Sequence, residues 1–407
     1  MGLILVHHDT DSPALYGAVA AAIVATRNCG FMHIAARFDT SRHADAEQHV
    51  VATGGLAASG LCWFERLSGK PVSPVASVEA ILHAAGLNDI VVPIHSACLA
   101  DAKVLEELLS GGSARGIQVE TITVFDDDGC FRDEATQAIL AWRDRFGRIV
   151  LKQPDAAKPA QMTIGLVGAE SDHRDVYPAV LASLADAADS LPMSIDIRFI
   201  DPVLFGQVED PASLDVYAGI LLPGGADMKN VAGQTSVAAF TLDSGLPTVG
   251  LCLGMQTMAT AVAWRRFGRR NANLAEADPQ AGIKTFVAMA GEGDTDGTAL
   301  PEHRTGDQQT LVAPGTRLAS LISREGPTRC NHRFRLNPAI LPQLEANGLR
   351  VAARGLAGGV VDAVEMTDHP FFMGMQGHPE LSSRPGQPHP LLVAFLKAAD
   401  LRRRTAA

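Results

Sequence analysis

The sequence lacks the features that would send a chain into a membrane or out of the cell. It has no run of about 18 apolar residues, the length that a membrane span requires, although 47% of its residues are apolar. The start Met1-Gly2-Leu3-Ile4-Leu5-Val6 turns polar at His7-His8-Asp9. A secretory signal would need a basic opening and a longer apolar stretch. Val6 stands where a myristoylation signal would carry Ser or Thr. Cysteine is sparse: Cys29, Cys62, Cys98, Cys130, Cys252 and Cys330 lie far apart with no CxxC pair. That spacing argues against a disulfide framework and against a structural zinc site. Basic charge is also short, and a formal net charge of −11 disfavours nonspecific nucleic-acid binding. The one run of three consecutive basic residues, in the tail Leu401-Arg402-Arg403-Arg404, reads as a solvated end. Repeats and low-complexity tracts are absent. The expectation is a cytoplasmic protein that engages neither membrane nor nucleic acid.

At 407 residues the chain exceeds one ordinary domain, so two are expected. Strand-length apolar runs alternate with helical patterns, which predicts a mostly parallel α/β architecture. In the first half, strands are predicted near 3–6, 31–36, 49–53, 90–94 and 118–124. Helices are predicted over Ala14–Thr26, Ala100–Leu109 and about Glu134–Arg145. The polar, Pro-bounded stretch Lys152–Pro159 is the best linker, giving domains over 1–152 and 161–401 joined by 153–160. The second domain opens with the strand Met162–Gly168, followed by strands at 195–200, 218–222, 247–251 and 371–375. The Gly-, Asp- and Thr-rich segment 291–310 reads as a long loop.

Three short elements of the second half carry chemistry. Pro247–Leu251 is a buried strand that runs into Cys252, and Leu253-Gly254-Met255-Gln256 then opens a helix. A cysteine on such a strand-to-helix turn projects its sulfur from the sheet edge, and the helix N-terminus favours the reactive thiolate. Gly250 and Gly254 suit a sharp turn with close backbones. The plainer alternative is a packed core cysteine. Gly219–Leu222 is a second strand, ending in Pro223-Gly224-Gly225. Backbone N–H groups freed there, with that of Leu253, could hold an oxyanion, although Pro-Gly-Gly alone signals only a turn. The third strand, Phe372–Met375, leads to His378-Pro379-Glu380. Its imidazole can take a thiol proton while Glu380 fixes the ring.

Taken together, these elements resemble the class I (triad) glutamine amidotransferases, and within them the CTP synthases. Val361–Ala399 carries the closest likeness, including Ser383-Arg384-Pro385 and His389-Pro390-Leu391 after the triad. Arg329-Cys330-Asn331-His332-Arg333-Phe334 and Asn273–Pro279 are similar to further family segments, so the likeness covers about 160–400. The resemblance implies a flavodoxin-like open parallel sheet with Cys252, His378 and Glu380 as catalytic triad. It also implies Gly224, Gly225 and Leu253 at the oxyanion, and Gln256, Glu276 and Arg333 on the charged ends of glutamine. One guanidinium and one carboxylate suit a zwitterion, but without the family Glu276 and Arg333 read as surface charges. Two departures stand out. Gly377 replaces the Phe that usually precedes His-Pro-Glu. Ala226-Asp227-Met228 replaces the family's Phe-Gly and the basic loop used in activation by GTP.

The first half resembles the CTP synthase synthetase domain more faintly and is shorter. Met1–Asp39 follows its Rossmann-like, P-loop-like opening, and Trp63-Phe64-Glu65-Arg66-Leu67 echoes another family segment. The family's phosphate-holding turn, which carries a Lys, reads here Ser12-Pro13-Ala14-Leu15-Tyr16-Gly17, with Tyr16 in the Lys position. The acidic segment that would hold Mg²⁺ reads Thr53–Gly60, without a carboxylate. A degenerate domain that has lost the ATP and Mg²⁺ sites is expected, and no other cofactor or metal is implied. His7, His8, Asp9, His95, Cys98 and Asp126-Asp127-Asp128 fall near carboxyl ends of predicted strands, where open sheets bind ligands. No paired-Cys or helical His spacing supports a metal there. A structural or partner-docking remnant is the plainer reading. Three functions follow in order: glutamine hydrolysis with ammonia passed to an unknown acceptor on the first domain or a partner protein, a regulatory or interaction protein, and a divergent CTP synthase. A homo-oligomer or a partner protein is expected.

Overall fold

The computed structural model describes residues 2–36, 38–39, 41–43, 45–95, 103–156, 158–207, 214–289, 300–357 and 359–406. The chain forms two compact units: Met1–Ala157 with Ser171–Ala182, and Lys158–Glu170 with Ser183–Ala407. The stretch Ser171–Ala182 therefore packs with the first unit, although it follows the polar linker in sequence.

In the first unit the strand Gly2–His7 lies third in a seven-stranded sheet, between and parallel to Ile90–Ile94 and Gln118–Asp127. Strand alternation divides its side chains between two faces. Leu3 and Leu5 pack with Ile81, Leu82 and Leu108, while Ile4 and Val6 join Trp63 and the buried Ala-rich helix Ala18–Arg27. The sheet is extended by three antiparallel strands, Cys130–Asp133, Ile139–Arg143 and Ile149–Val150.

That extension corrects the helix expected over Glu134–Arg145. Asp133 accepts from the Ala135 backbone and the Thr136 hydroxyl, and Gln137 adopts φ 60°. The chain therefore turns and returns as the strand Ile139–Arg143, with Ala141 in the core. The apolar run 138–142 suited either state, and pairing with Cys130–Asp133 decided it. The strands expected at 31–36 and 49–53 shrink to Gly30–Phe31 and His49–Val50. The helix expected from Ala14 begins at Ala18, because Pro13–Leu15 forms a 3-10 turn and Gly17 is left-handed at φ 73°. The helix expected over Ala100–Leu109 runs Lys103–Ala114, with residues 100–102 outside the described ones.

The second unit carries a nine-stranded sheet. Its parallel part runs Ile195–Ile200, Met162–Val167, Gly219–Leu222, Thr248–Leu251 and Phe372–Met375. Four antiparallel strands follow: Val361–Met366, Leu349–Gly355, Arg304–Val312 and Glu325–His332. This doubly wound, flavodoxin-like order brings the carboxyl ends of neighbouring strands to one edge, where ligands bind in such sheets. Residues 291–299 lie outside the described ones, but the expected loop to 310 is corrected at its end. Arg304–Val312 is a nine-residue strand. It buries Arg304 and Thr310, so its alternation has no apolar signature. No helix among the described residues is long and apolar enough to cross a membrane.

Arg304 and Asp362 form a bidentate ion pair inside this antiparallel part, one contact measuring 2.9 Å, with Asp362 wholly buried. Thr310 Oγ1 also donates to Asp362 at 2.7 Å. Removing one partner of such a pair strands a buried charge, which typically costs about 3–5 kcal/mol. Asp362→Ala is therefore expected to lower the unfolding free energy by that amount, read as a fall in the urea midpoint at an unchanged m value. A loss below about 1 kcal/mol would show that the pair is dispensable.

Candidate active site

Cys252 sits between the strand Thr248–Leu251 and the fifteen-residue helix Leu253–Phe267, with φ 49° and ψ −107°. That conformation is sparsely populated for a residue with a side chain and stores strain at the turn. Its neighbours explain how the turn closes. A Cβ on Gly254 would collide with the Leu222 carbonyl oxygen, and one on Gly250 with Met258 Sδ and the Gly254 backbone. The Cys252 N–H donates to Met375 O at 2.8 Å, which binds the elbow to the strand Phe372–Met375. The thiol faces Asn331 O at 3.8 Å, and Gln376 Nε2 lies 3.8 Å from Sγ.

Three residues beyond Met375, His378 hangs between two strands through its N–H, which donates to Arg329 O at 2.7 Å. Its Nδ1 is 2.8 Å from Glu380 Oε1, and Glu380 is buried. The imidazole lies beside Cys252, both side chains flanking Gly224, and interacts with it electrostatically. Burial alone would disfavour the charged ring. The negative charges of Cys252 and Glu380 overcome this and raise its pKa well above the ordinary 6.5. His378 Nε2 and Glu380 Oε2 are buried with no hydrogen-bond partner. An imidazole poised between a thiol and a carboxylate can accept a proton from the thiol and return it to a leaving group.

The other expected site residues fall into two groups. Gly224 packs against the pair: a Cβ there would lie 3.2 Å from His378 Cε1 and 3.3 Å from Cys252 Cβ. Gly225 adopts φ 146°, and Leu253 opens the helix, whose first N–H groups point outward. Gln256 is buried one turn into the same helix, with Nε2 3.4 Å from Gln376 Oε1 and with Oε1 unpartnered. Glu276 and Arg333 are exposed and joined electrostatically. Partial burial raises the Glu276 pKa, and Arg333 opposes the shift. A small two-stranded sheet, Phe286–Ala288 with Phe334–Leu336, brings their chain segments together.

Two features escaped the sequence reading. Gln376 touches both Cys252 and Gln256, and its position between a strand and His378 was the available signal. The strand Glu325–His332 supplies the carbonyls facing Cys252 and His378. It also explains Gly377, where a Cβ would collide with Thr328 Cγ2 and lie 2.8 Å from Arg329 O. In the first unit several of these polar residues have structural partners. Asp126 Oδ1 accepts from Gly129 N at 2.7 Å and closes the hairpin turn through Asp127 and Asp128. His7 ends its strand, while His8 is buried, which lowers its pKa to about 4 against the pull of Asp126. His95 Nε2 lies 2.5 Å from Thr10 O and 3.5 Å from Asp9. Cys98 lies outside the described residues. Among those described, no group of three or more His, Cys, Asp or Glu could hold a metal.

The family model for "Glutamine amidotransferase class-I" matches residues 173–398, just over half of the chain. CTP synthase from Thermus thermophilus is 33% identical over 257 residues, covering 61% of this chain and 46% of that protein. CTP synthase from Rhodopseudomonas palustris is 31% identical over 305 residues, covering 72% of this chain and 53% of that protein. The chain thus spans about half the length of the curated relatives it matches. The glutaminase domain of Trypanosoma brucei CTPS, solved with bound acivicin, aligns with TM-score 0.54 and 25% identity. The alignment covers 59% of this chain and 94% of that one.

The charge on His378 yields a direct test. In Cys252→Ala the ring keeps Glu380 and its burial but loses one of the two negative charges that raise it. Its titration midpoint, followed by NMR of the labelled imidazole, is expected to fall. Because the folded value exceeds the unfolded one, the stability this charge contributes is full below pH 6.5 and fades as pH rises through the folded value. A midpoint unmoved by Cys252→Ala would mean that the two side chains do not share charge.

Proposed function

The chain belongs to the class I glutamine amidotransferase family, and we propose that it hydrolyses glutamine to glutamate and ammonia at Cys252. The observation that carries this reading is the strained cysteine at a helix N-terminus, beside a partly buried His378 held 2.8 Å from Glu380. Cys252 Sγ attacks the side-chain carboxamide carbon, with its proton on His378. The resulting oxyanion is held by backbone N–H groups at Leu253 and the Gly224-Gly225 turn. As the C–N bond breaks, His378 gives its proton to the nitrogen, and ammonia leaves a γ-glutamyl thioester. His378 then deprotonates a water that attacks the thioester, glutamate departs, and the thiol is restored. Glu380 keeps the ring oriented through both steps. Gln256, Glu276 and Arg333 bind the charged ends of the substrate.

The ammonia passes to an acceptor on the 1–152 domain or on a partner protein. The CTP synthase matches extend over as much as 72% of this chain, but the residues of the first unit do not fit MgATP. Tyr16 is 1% exposed, its hydroxyl lies 3.4 Å from Pro93 O, and its ring packs edge-on against Phe38. It fills space where a phosphate-binding Lys would need to reach out. The segment Thr53–Gly60 offers no carboxylate. No phosphorylation step is therefore assigned to this chain. The same observation favours a second reading, in which the first unit is a docking remnant and the protein acts on or with other subunits.

Two experiments test these readings. Purified protein is expected to release glutamate and ammonia from glutamine, and Cys252→Ala to abolish release while circular dichroism is unchanged. Acivicin should label Cys252 alone, and labelling spread over the other cysteines would overturn the assignment. Supplied with UTP, MgATP and free ammonia, the protein is expected to form no CTP, since ammonia bypasses the glutaminase and tests only the first unit. CTP formation under those conditions would refute the loss of the ATP site.

A further inference from the structure

Gln376 has no part in the triad, yet it is wholly buried beside the nucleophile. It follows the strand Phe372–Met375, and its backbone N–H donates to Asp362 O at 2.8 Å, which fixes the start of the side chain. Both ends of the side-chain amide are then used. Nε2 lies 3.8 Å from Cys252 Sγ, within donor range for sulfur, and Oε1 accepts from Gln256 Nε2 at 3.4 Å. Gln256 Oε1, at the far end of this line, is buried with no partner.

We propose that Gln376 is a positioning residue that donates its amide N–H to the Cys252 sulfur and couples that sulfur to Gln256. An amide donor strengthens as its acceptor gains negative charge, so it favours the thiolate over the thiol. The coupling runs in the other direction as well. A donor that meets Gln256 Oε1, such as the substrate ammonium, polarises Gln256 Nε2–H toward Gln376 Oε1. Gln376 Nε2–H is in turn polarised toward the sulfur, because hydrogen bonds in a chain reinforce one another. Occupation of the substrate site thereby primes the nucleophile. This assignment rests on the glutaminase reading for its meaning in turnover, but not for its physical content.

The test separates the two. Alkylation of Cys252 by iodoacetamide is followed as the mass of its peptide from about pH 5 to 9. Gln376→Met conserves volume and removes the amide. Its alkylation midpoint is expected to rise by about one pH unit, with about tenfold slower labelling on the acidic limb. In glutamine hydrolysis kcat is expected to fall about 10- to 100-fold with a smaller change in KM. Should Gln376→Met fail to fold, Gln376→Asn withdraws the amide from Sγ while keeping its polarity, and the same rise is expected. A mutant alkylation curve that superimposes on the wild-type curve, whatever happens to Tm or kcat, overturns the proposal. If wild-type protein leaves glutamine intact but the curve still moves, the glutaminase reading fails and the role of Gln376 stands.

Discussion

The second unit depends on holding one residue in a backbone conformation that residue disfavours. Cys252 at φ 49° and ψ −107° cannot relax, because the strand before it and the helix after it are packed too closely to move. Gly254 lies against the Leu222 carbonyl and Gly250 against Gly254, contacts that exist only because neither residue has a Cβ. The strain is offset by the buried parallel strands Gly219–Leu222, Thr248–Leu251 and Phe372–Met375, whose core side chains are nearly inaccessible. Rigid packing on this scale lets a strained turn persist. In return the sulfur stands at the sheet edge and at a helix N-terminus.

The antiparallel strands complete the site from the other side. Glu325–His332 presents Asn331 O to the thiol and Arg329 O to the His378 backbone. Its position is set by pairing with Arg304–Val312, and that strand is anchored by Arg304 on Asp362. Asp362 also holds Gln376 through its backbone carbonyl. A buried ion pair with no role in chemistry therefore stands behind both the histidine and the glutamine of the site. A charged group buried this deeply constrains register more than it contributes net stability.

How much of this was legible in the sequence depended on which signal each element uses. Cys252, Gly224 and the His378 segment each follow an apolar strand, so periodicity and glycine placement exposed them. Glu276 and Arg333 carried no local signal and entered through family resemblance alone. Arg304–Val312 was read as loop because its inward positions are Arg304, Gly306 and Thr310, which look polar until Asp362 is placed opposite them. The hairpin strand Ile139–Arg143 was read as helix because a short apolar run does not distinguish the two states without its partner strand. Gln376 was passed over because a lone amide at the end of a strand is silent until its neighbours are known.

The packing of Tyr16 bears on how such a chain can change over generations. A tyrosine can be replaced at little cost while it is exposed, but this one is fully enclosed. Its ring lies against Phe38, its hydroxyl is directed at Pro93 O, and Gly60 is so close that a Cβ there would collide with the Tyr16 backbone. Lysine at this position would enter an apolar enclosure built around an aromatic ring, where an unpaired ammonium is strongly disfavoured. Lysine could therefore enter this position only after several neighbours had changed, each without benefit while Tyr16 remains. The enclosure thus acts as a ratchet at this position: changes elsewhere in the first unit are accepted far more readily than a cation at residue 16.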